Sequence, residues 1–206
     1  NEEIKKRTVS LWYNAESIDE TQILYEEGKS LNGLNIYLSQ GKVWIGGFSQ
    51  TNGWSGKWLS YPTTSGVWHN IVLVFDSINI GKIYLYYDGI LVSEAAVQSS
   101  IAQRAGKGAI GAMIESTSLN GVVYNGDGLY YNGLIKNLLV YKSILSNEEV
   151  SKLYNEVIQI FGEQQNIPIA VTYTFKSIPQ IYENYITWSE FDNLLDDTNE
   201  IHLYNL

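Results

Sequence analysis

The chain has no cysteine, three prolines, one methionine and two histidines among its 206 residues. Without cysteine, neither a disulfide framework nor a thiolate metal site can form, although that alone leaves the compartment open. Charge is sparse, at 17% of residues, and unbalanced: 22 acids face 13 bases, for a net charge of −9. That balance argues against a nucleic-acid backbone and against an anionic lipid surface. No apolar run approaches the roughly 20 residues of a membrane span. Residues Asn1 to Arg7 lack the pattern of a signal peptide, so the chain reads as a mature or excised piece of a larger protein. Nucleophile-elbow and phosphate-loop patterns are missing too.

What the chain does have is strand chemistry. Val67 to Asp76 is an apolar run of strand length, rich in β-branched and aromatic residues, as suits a strand covered on both faces. A polar turn, Ser77 to Gly81, leads to a strand from Lys82 to Tyr87. Asp88-Gly89 is the tight hairpin signal, since a type I′ turn needs positive φ at both central positions. Ile90 to Val92 begins the return. Earlier, Val9, Leu11 and Tyr13 share one face by the period of two, with Ser10 and Trp12 on the other. Ile23 to Tyr25 reads as a short strand and Glu26-Glu27-Gly28-Lys29 as a polar turn. The stretch from Leu34 to Ile45 reads as a hairpin turning at Gln40-Gly41. A further strand is expected over Ala109 to Ile114 and another over Leu129 to Tyr141. Ser146-x-x-Glu149 is a capping box. It opens a helix with Val150, Leu153, Tyr154, Val157 and Phe161 at helical spacing and Gly162 as its stop.

Four of these segments, in order, resemble the laminin G-like, concanavalin A-like jelly-roll family. They are Thr8–Tyr13; Leu34–Leu38 with Lys42–Ile45; Trp68-His69 with the hairpin Gly81–Gly89; and Tyr131–Tyr141 followed by Leu145–Val150. Together they span about residues 8 to 160. The resemblance implies an all-β fold, an antiparallel β-sandwich of jelly-roll form with one short helix after the closing strand. Residues 1–162 would form that domain. Family members carry a further strand upstream of the one at Thr8, which this chain is expected to lack. Residues 163–206 would be an acidic C-terminal extension or the start of a small second module. They hold seven acids and one base, and so six of the nine net negative charges. Within them Ile169–Phe175, Ile181–Trp188 and Ile201–Tyr204 read as strands and Ser189–Leu195 as a helix.

The fold also hosts glucanases, which set three carboxylates two residues apart on one strand face. Glu16-Ser17-Ile18-Asp19-Glu20 breaks that spacing and lies in a turn-like segment. His69, beside Trp68 at a strand start, reads as structural, and no enzyme activity is expected. Residues 46–66 read as a long loop holding Trp54, Trp58 and Tyr61 among small polar residues, and loops of that length are often functional. These three, with Asn52 and with Tyr124 from a second long loop at residues 115–128, are the candidate ligand-binding residues. Asn120, Asn125, Asp127 and Asn132 could offer calcium its oxygen ligands, or simply make tight turns. The family's closing motif often runs Gly-x-Ile-Asp-Asp/Glu, whereas Lys136 and Asn137 stand here, and a lysine would repel a cation. The implied function is non-catalytic glycan binding by a module of a secreted or cell-surface protein. The alternatives are a protein-interaction or adhesion module, or an accessory domain of a polysaccharide-degrading enzyme.

Overall fold

A computed structural model describes residues 2–103 and 108–159, and the backbone of 160–164, 180–182, 185–189 and 201–205. Two antiparallel sheets face each other. The first runs in the order β12-β1-β6-β7-β8, from β1 (Lys6–Ala15), β6 (His69–Asp76), β7 (Lys82–Tyr87), β8 (Ile90–Ala96) and β12 (Gly133–Tyr141). The second contains the order β9-β2-β3-β4-β5, from β2 (Gln22–Lys29), β3 (Asn32–Ser39), β4 (Lys42–Ser49), β5 (Trp54–Pro62) and β9 (Gly108–Ile110). Strands β13 (Gln180–Tyr182), β14 (Tyr185–Ser189) and β15 (Ile201–Asn205) follow one another beyond β9. Their link to it is the pairing of Gln180 with Ala109. The expected strand over Ile169–Phe175 lies outside the described residues, as does the expected helix over Ser189–Leu195 apart from Ser189, which ends β14.

Alternation builds the core. Val9, Leu11 and Tyr13 from β1, with Ile71, Leu73 and Phe75 from β6, meet Leu34, Ile36, Leu38, Val43 and Ile45 from the opposite sheet. Every residue of β6 from Asn70 to Asp76 is buried, as its unbroken apolar run predicts, because Val72 and Val74 on the outer side are covered as well. Their cover is α1 (Asn147–Gln164), whose Val150 joins that cluster and whose Tyr154 stacks on Trp12 at 5.3 Å. The capping box forms: Ser146 N–H donates to Glu149 Oε2 at 2.7 Å and Glu149 N–H to Ser146 Oγ at 3.2 Å. The helix runs past Gly162 to Gln164.

Turn chemistry at Gln40-Gly41 and Asp88-Gly89 is as expected, with φ of 55° and 71°, and of 48° and 77°. Elsewhere the sequence reading needs correction. Glu26 and Glu27 are not in a turn but inside β2, both buried. Glu27 faces inward to Arg7 of the other sheet, Nε to Oε1 at 2.9 Å, and a charge pair satisfied in this way reads from sequence as surface polarity. The strand expected at Ala109–Ile114 stops at Ile110, where Gly111 takes a φ of 70°. The closing strand starts at Gly133 rather than Leu129. The second long loop is instead a hairpin of β10 (Ser116–Leu119) and β11 (Val122–Asn125), turning at Asn120-Gly121 with φ of 47° and 81°.

Candidate functional site

The stretch expected to be a loop at residues 46–66 is mostly strand. β4 continues to Ser49, a 3-10 turn covers Gln50–Asn52, and β5 occupies Trp54–Pro62. Glycine, serine and lysine hid it, because β5 is an edge strand whose exposed positions need no apolar residue. The register between β4 and β5 shifts between Gly47 and Ser49, and Gly56 sits at a φ of 116°. Such a bulge adds one residue to a strand and turns the following side chains over. Trp54 and Trp58, four residues apart, would otherwise share a face. Instead Trp54 points into the core, 3% exposed, against Phe75 at 6.2 Å. It is a packing residue, not a ligand contact.

Trp58 lies on the outer face of the second sheet. There Ile23, Tyr37, Met113 and Leu119 form a separate buried cluster with Trp44, Trp58, Tyr124 and Leu129 packed against it. Tyr37 and Trp44 stack at 5.9 Å and 8°, and Phe48 and Trp58 at 6.0 Å and 18°. The indole of Trp58 rests on bare backbone: a Cβ added at Gly46 would lie 2.2 Å from its Nε1, and one at Gly56 2.3 Å from its Cη2. Both glycines are therefore required for the ring to lie flat. Lys42 holds its ammonium 5.9 Å above Trp44. Two of the expected ligand residues, Trp58 and Tyr124, thus come together, and Trp44 and Tyr37 join them. Sequence reasoning passed over these last two because an aromatic in a regular strand reads as core. Their clue was the alternation itself, since Trp44 falls between the inward Val43 and Ile45.

The hairpin β10–β11 covers part of this face and pairs with neither sheet. Asn35 Nδ2 donates to Ser118 O at 2.8 Å, and Ile114 N–H donates to Glu26 Oε1 at 2.9 Å. Burial, with Glu115 nearby, pushes the Glu26 carboxyl up to about 7, while the Ile114 N–H and Thr117 hydroxyl oppose the shift.

The remaining candidates lie elsewhere. Tyr61, 38% exposed, packs on Tyr87 at 5.0 Å at one end of the sandwich. There Tyr13, Thr63 and Tyr87 share hydroxyl hydrogen bonds of 2.7 and 2.9 Å. His69 sits beside them, its Nδ1 2.9 Å from Asp88 Oδ2 and its Nε2 2.9 Å from Thr64 Oγ1. Asp88 also accepts the Asn70 N–H at 2.7 Å, so the group ties the β7–β8 turn to β6. Asn52 donates to Ser100 O at 2.9 Å.

The four oxygen donors considered for calcium do not converge. Asn120 turns one end of the hairpin and Asn125 closes the other, opposite Ser116. Asp127 Oδ1 accepts the Glu115 N–H at 2.8 Å, and Asn132 Nδ2 donates to Glu16 Oε2 at 2.9 Å. Among the described residues no cluster of three His, Asp or Glu side chains could hold a metal. Lys136, which replaces an acid of the family motif, places its ammonium 3.7 Å over the Trp68 ring, and burial lowers it to about 8.

This architecture defines a lectin-type β-sandwich, and comparison with known proteins agrees. The laminin G-type model of the concanavalin A-like lectin/glucanases superfamily matches residues 4–151. The chain belongs to that superfamily. A search of curated proteins finds no sequence match. Among solved structures, the chain is similar to the CBM40 of the Ruminococcus gnavus IT-sialidase, bound to α2,3-sialyllactose. The TM-score is 0.57 at 19% identity, over 73% of this chain and 83% of that one. It is also similar to a heptameric SAP-like pentraxin from Limulus polyphemus, with a TM-score of 0.55 at 16% identity, over 74% and 71% of the two chains. A third similar structure is the receptor-binding domain of botulinum neurotoxin D, with a TM-score of 0.55 at 12% identity, over 75% of this chain but 38% of that one. At such identities the likeness is one of fold. No helix among the described residues is long and apolar enough to cross a membrane, which says nothing of β-barrels.

Proposed function

We propose that the chain is a non-catalytic glycan-binding module of a secreted or cell-surface protein, and that it binds on the outer face of the second sheet. The observation that carries this reading is the pair of half-buried indoles, Trp44 and Trp58, each backed by a second ring and set beside Tyr124. Sugar CH faces pack on such rings, while a few fixed polar groups orient the hydroxyls. The superfamily membership and the glycan-bound CBM40 structure lend support. Calcium is not part of the proposed mechanism.

The test is a glycan array of the intact chain, followed by calorimetry of the strongest binder with Trp44→Ala and Trp58→Ala. Each variant should stay folded and lose tenfold or more in affinity, about the contribution of one aromatic platform. Full affinity in both would remove the outer face from consideration. A blank array from folded protein would favour the protein-interaction reading.

A further inference from the structure

One row across the second sheet is polar and buried where its neighbours are aromatic. Glu26 pairs with Asn35, Asn35 with Gly46, and Gly46 with Trp58. All four lie on the outer face beneath the hairpin. Glu26 is 1% exposed and Asn35 0%. Among the described residues, Glu26 Oε2, Asn35 Oδ1 and Trp58 Nε1 are fully buried and make no hydrogen bond. Buried polar atoms left unpaired cost about 1–3 kcal/mol each, so three in one row call for an explanation. The indole edge and the Asn35 amide crowd over Gly46, where a Cβ would lie 2.2 Å from Trp58 Nε1 and 2.6 Å from Asn35 Oδ1. A donor and an acceptor therefore flank the same bare patch of backbone, with a second acceptor one strand away.

We propose that Trp58 Nε1, Asn35 Oδ1 and Glu26 Oε2 form a seat for adjacent hydroxyl groups of a sugar, which the β10–β11 hairpin covers until ligand displaces it. The proposal rests on the glycan reading of this face and deepens it. One hydroxyl accepts from the Trp58 N–H and donates to Asn35 Oδ1; the next hydroxyl along the ring bonds Glu26 Oε2, accepting from the carboxylic acid or donating to the carboxylate. With no sugar bound, the three atoms are shut off from solvent, so the bonds they lack can form only once the hairpin lifts.

The cover is built to yield. A two-stranded hairpin alone is marginally stable, and this one is fastened at Ser118 to the same Asn35 side chain that would hold the ligand, with Ile114, just ahead of the hairpin, bonded to Glu26. At its base Lys29 pairs with Glu115 at 2.7 Å, and its outer side leaves Val122 57% exposed.

The experiment follows the Trp58 indole N–H by nitrogen-15 NMR, with Trp58→Phe assigning the signal. Lactose and α2,3-sialyllactose serve as probes. On binding, the indole signal should shift, and amides of residues 116–125 should exchange faster. Trp58→Phe keeps a ring on the platform but removes the donor, and should weaken binding about tenfold. Binding with an unmoved indole and an unaffected Phe variant would overturn the seat while leaving the glycan face standing. Failure of both probes to bind the wild-type chain would overturn the two together.

Discussion

Both outer faces of the sandwich are covered, but by different means. Over the first sheet, α1 lays Val150 and Tyr154 onto Val72, Val74 and Trp12. The contact is apolar at its centre and pinned by hydrogen bonds from Tyr86 to Asn147 and from Ser151 to the Gly89 carbonyl, and the helix start is sealed by its capping box. Over the second sheet, a short hairpin sits on Tyr37, Trp44 and Trp58 with three polar atoms left unpaired beneath it. A cover held by burial and satisfied hydrogen bonds is lost only with the fold, whereas one resting on unsatisfied polar groups can be exchanged for a partner that satisfies them. The family fold supplies both faces; only the second is composed like a binding surface.

The largest effect should come from the helix side. Trp12→Ala removes the ring that Tyr154 stacks on and should cost about 3–5 kcal/mol of stability, read by urea denaturation, with glycan affinity unchanged. If that variant also lost glycan affinity, the two faces would not be independent.

A smaller effect separates the faces by pH. The Glu26 carboxyl is raised from the ordinary 4.5 to about 7, so the covered state holds its proton over that interval. The stabilisation this confers is full below about 4.5 and is lost as pH rises through about 7. A shift of this size corresponds to about 3 kcal/mol at most. Glu26→Gln should therefore gain on wild type as pH rises, by up to that amount at pH 8.5. Amide exchange in residues 116–125 should show wild type loosening there while α1 does not. Equal pH responses of wild type and variant would show that Glu26 is not buried uncharged.

Calcium should have the smallest effect. Replacing EDTA with calcium is expected to move Tm by no more than about 1 °C, the shift of a ligand that barely binds. A rise of several degrees would mean that a metal fastens the hairpin, making it as permanent a cover as the helix.

Much of this was legible in the residues. The period-two pattern of β1, the unbroken apolar run of β6, the Asp88-Gly89 turn and the Ser146–Glu149 box each reported a local rule that the tertiary structure obeys. What was illegible has two causes: burial by a distant segment, and an edge position that leaves one side of a strand bare. Glu26 and Glu27 resemble a solvated turn until Arg7 and the hairpin are brought over them. The edge strand β5 resembles a loop because one side of it needs no apolar residue.

By itself, then, the sequence determined the helix and the hairpins turning at Gln40-Gly41 and Asp88-Gly89, because each depends on neighbours a few residues apart, while the jelly-roll class was implied by resemblance to a known family. Only the tertiary structure decided which tryptophan is core and which is surface. That choice turns on a single bulge at Gly56, which reverses Trp58 relative to Trp54. Only the tertiary structure, too, placed the Glu26, Asn35 and Trp58 side chains in one row. Register between strands is settled by packing across the sheet, and no local pattern records it.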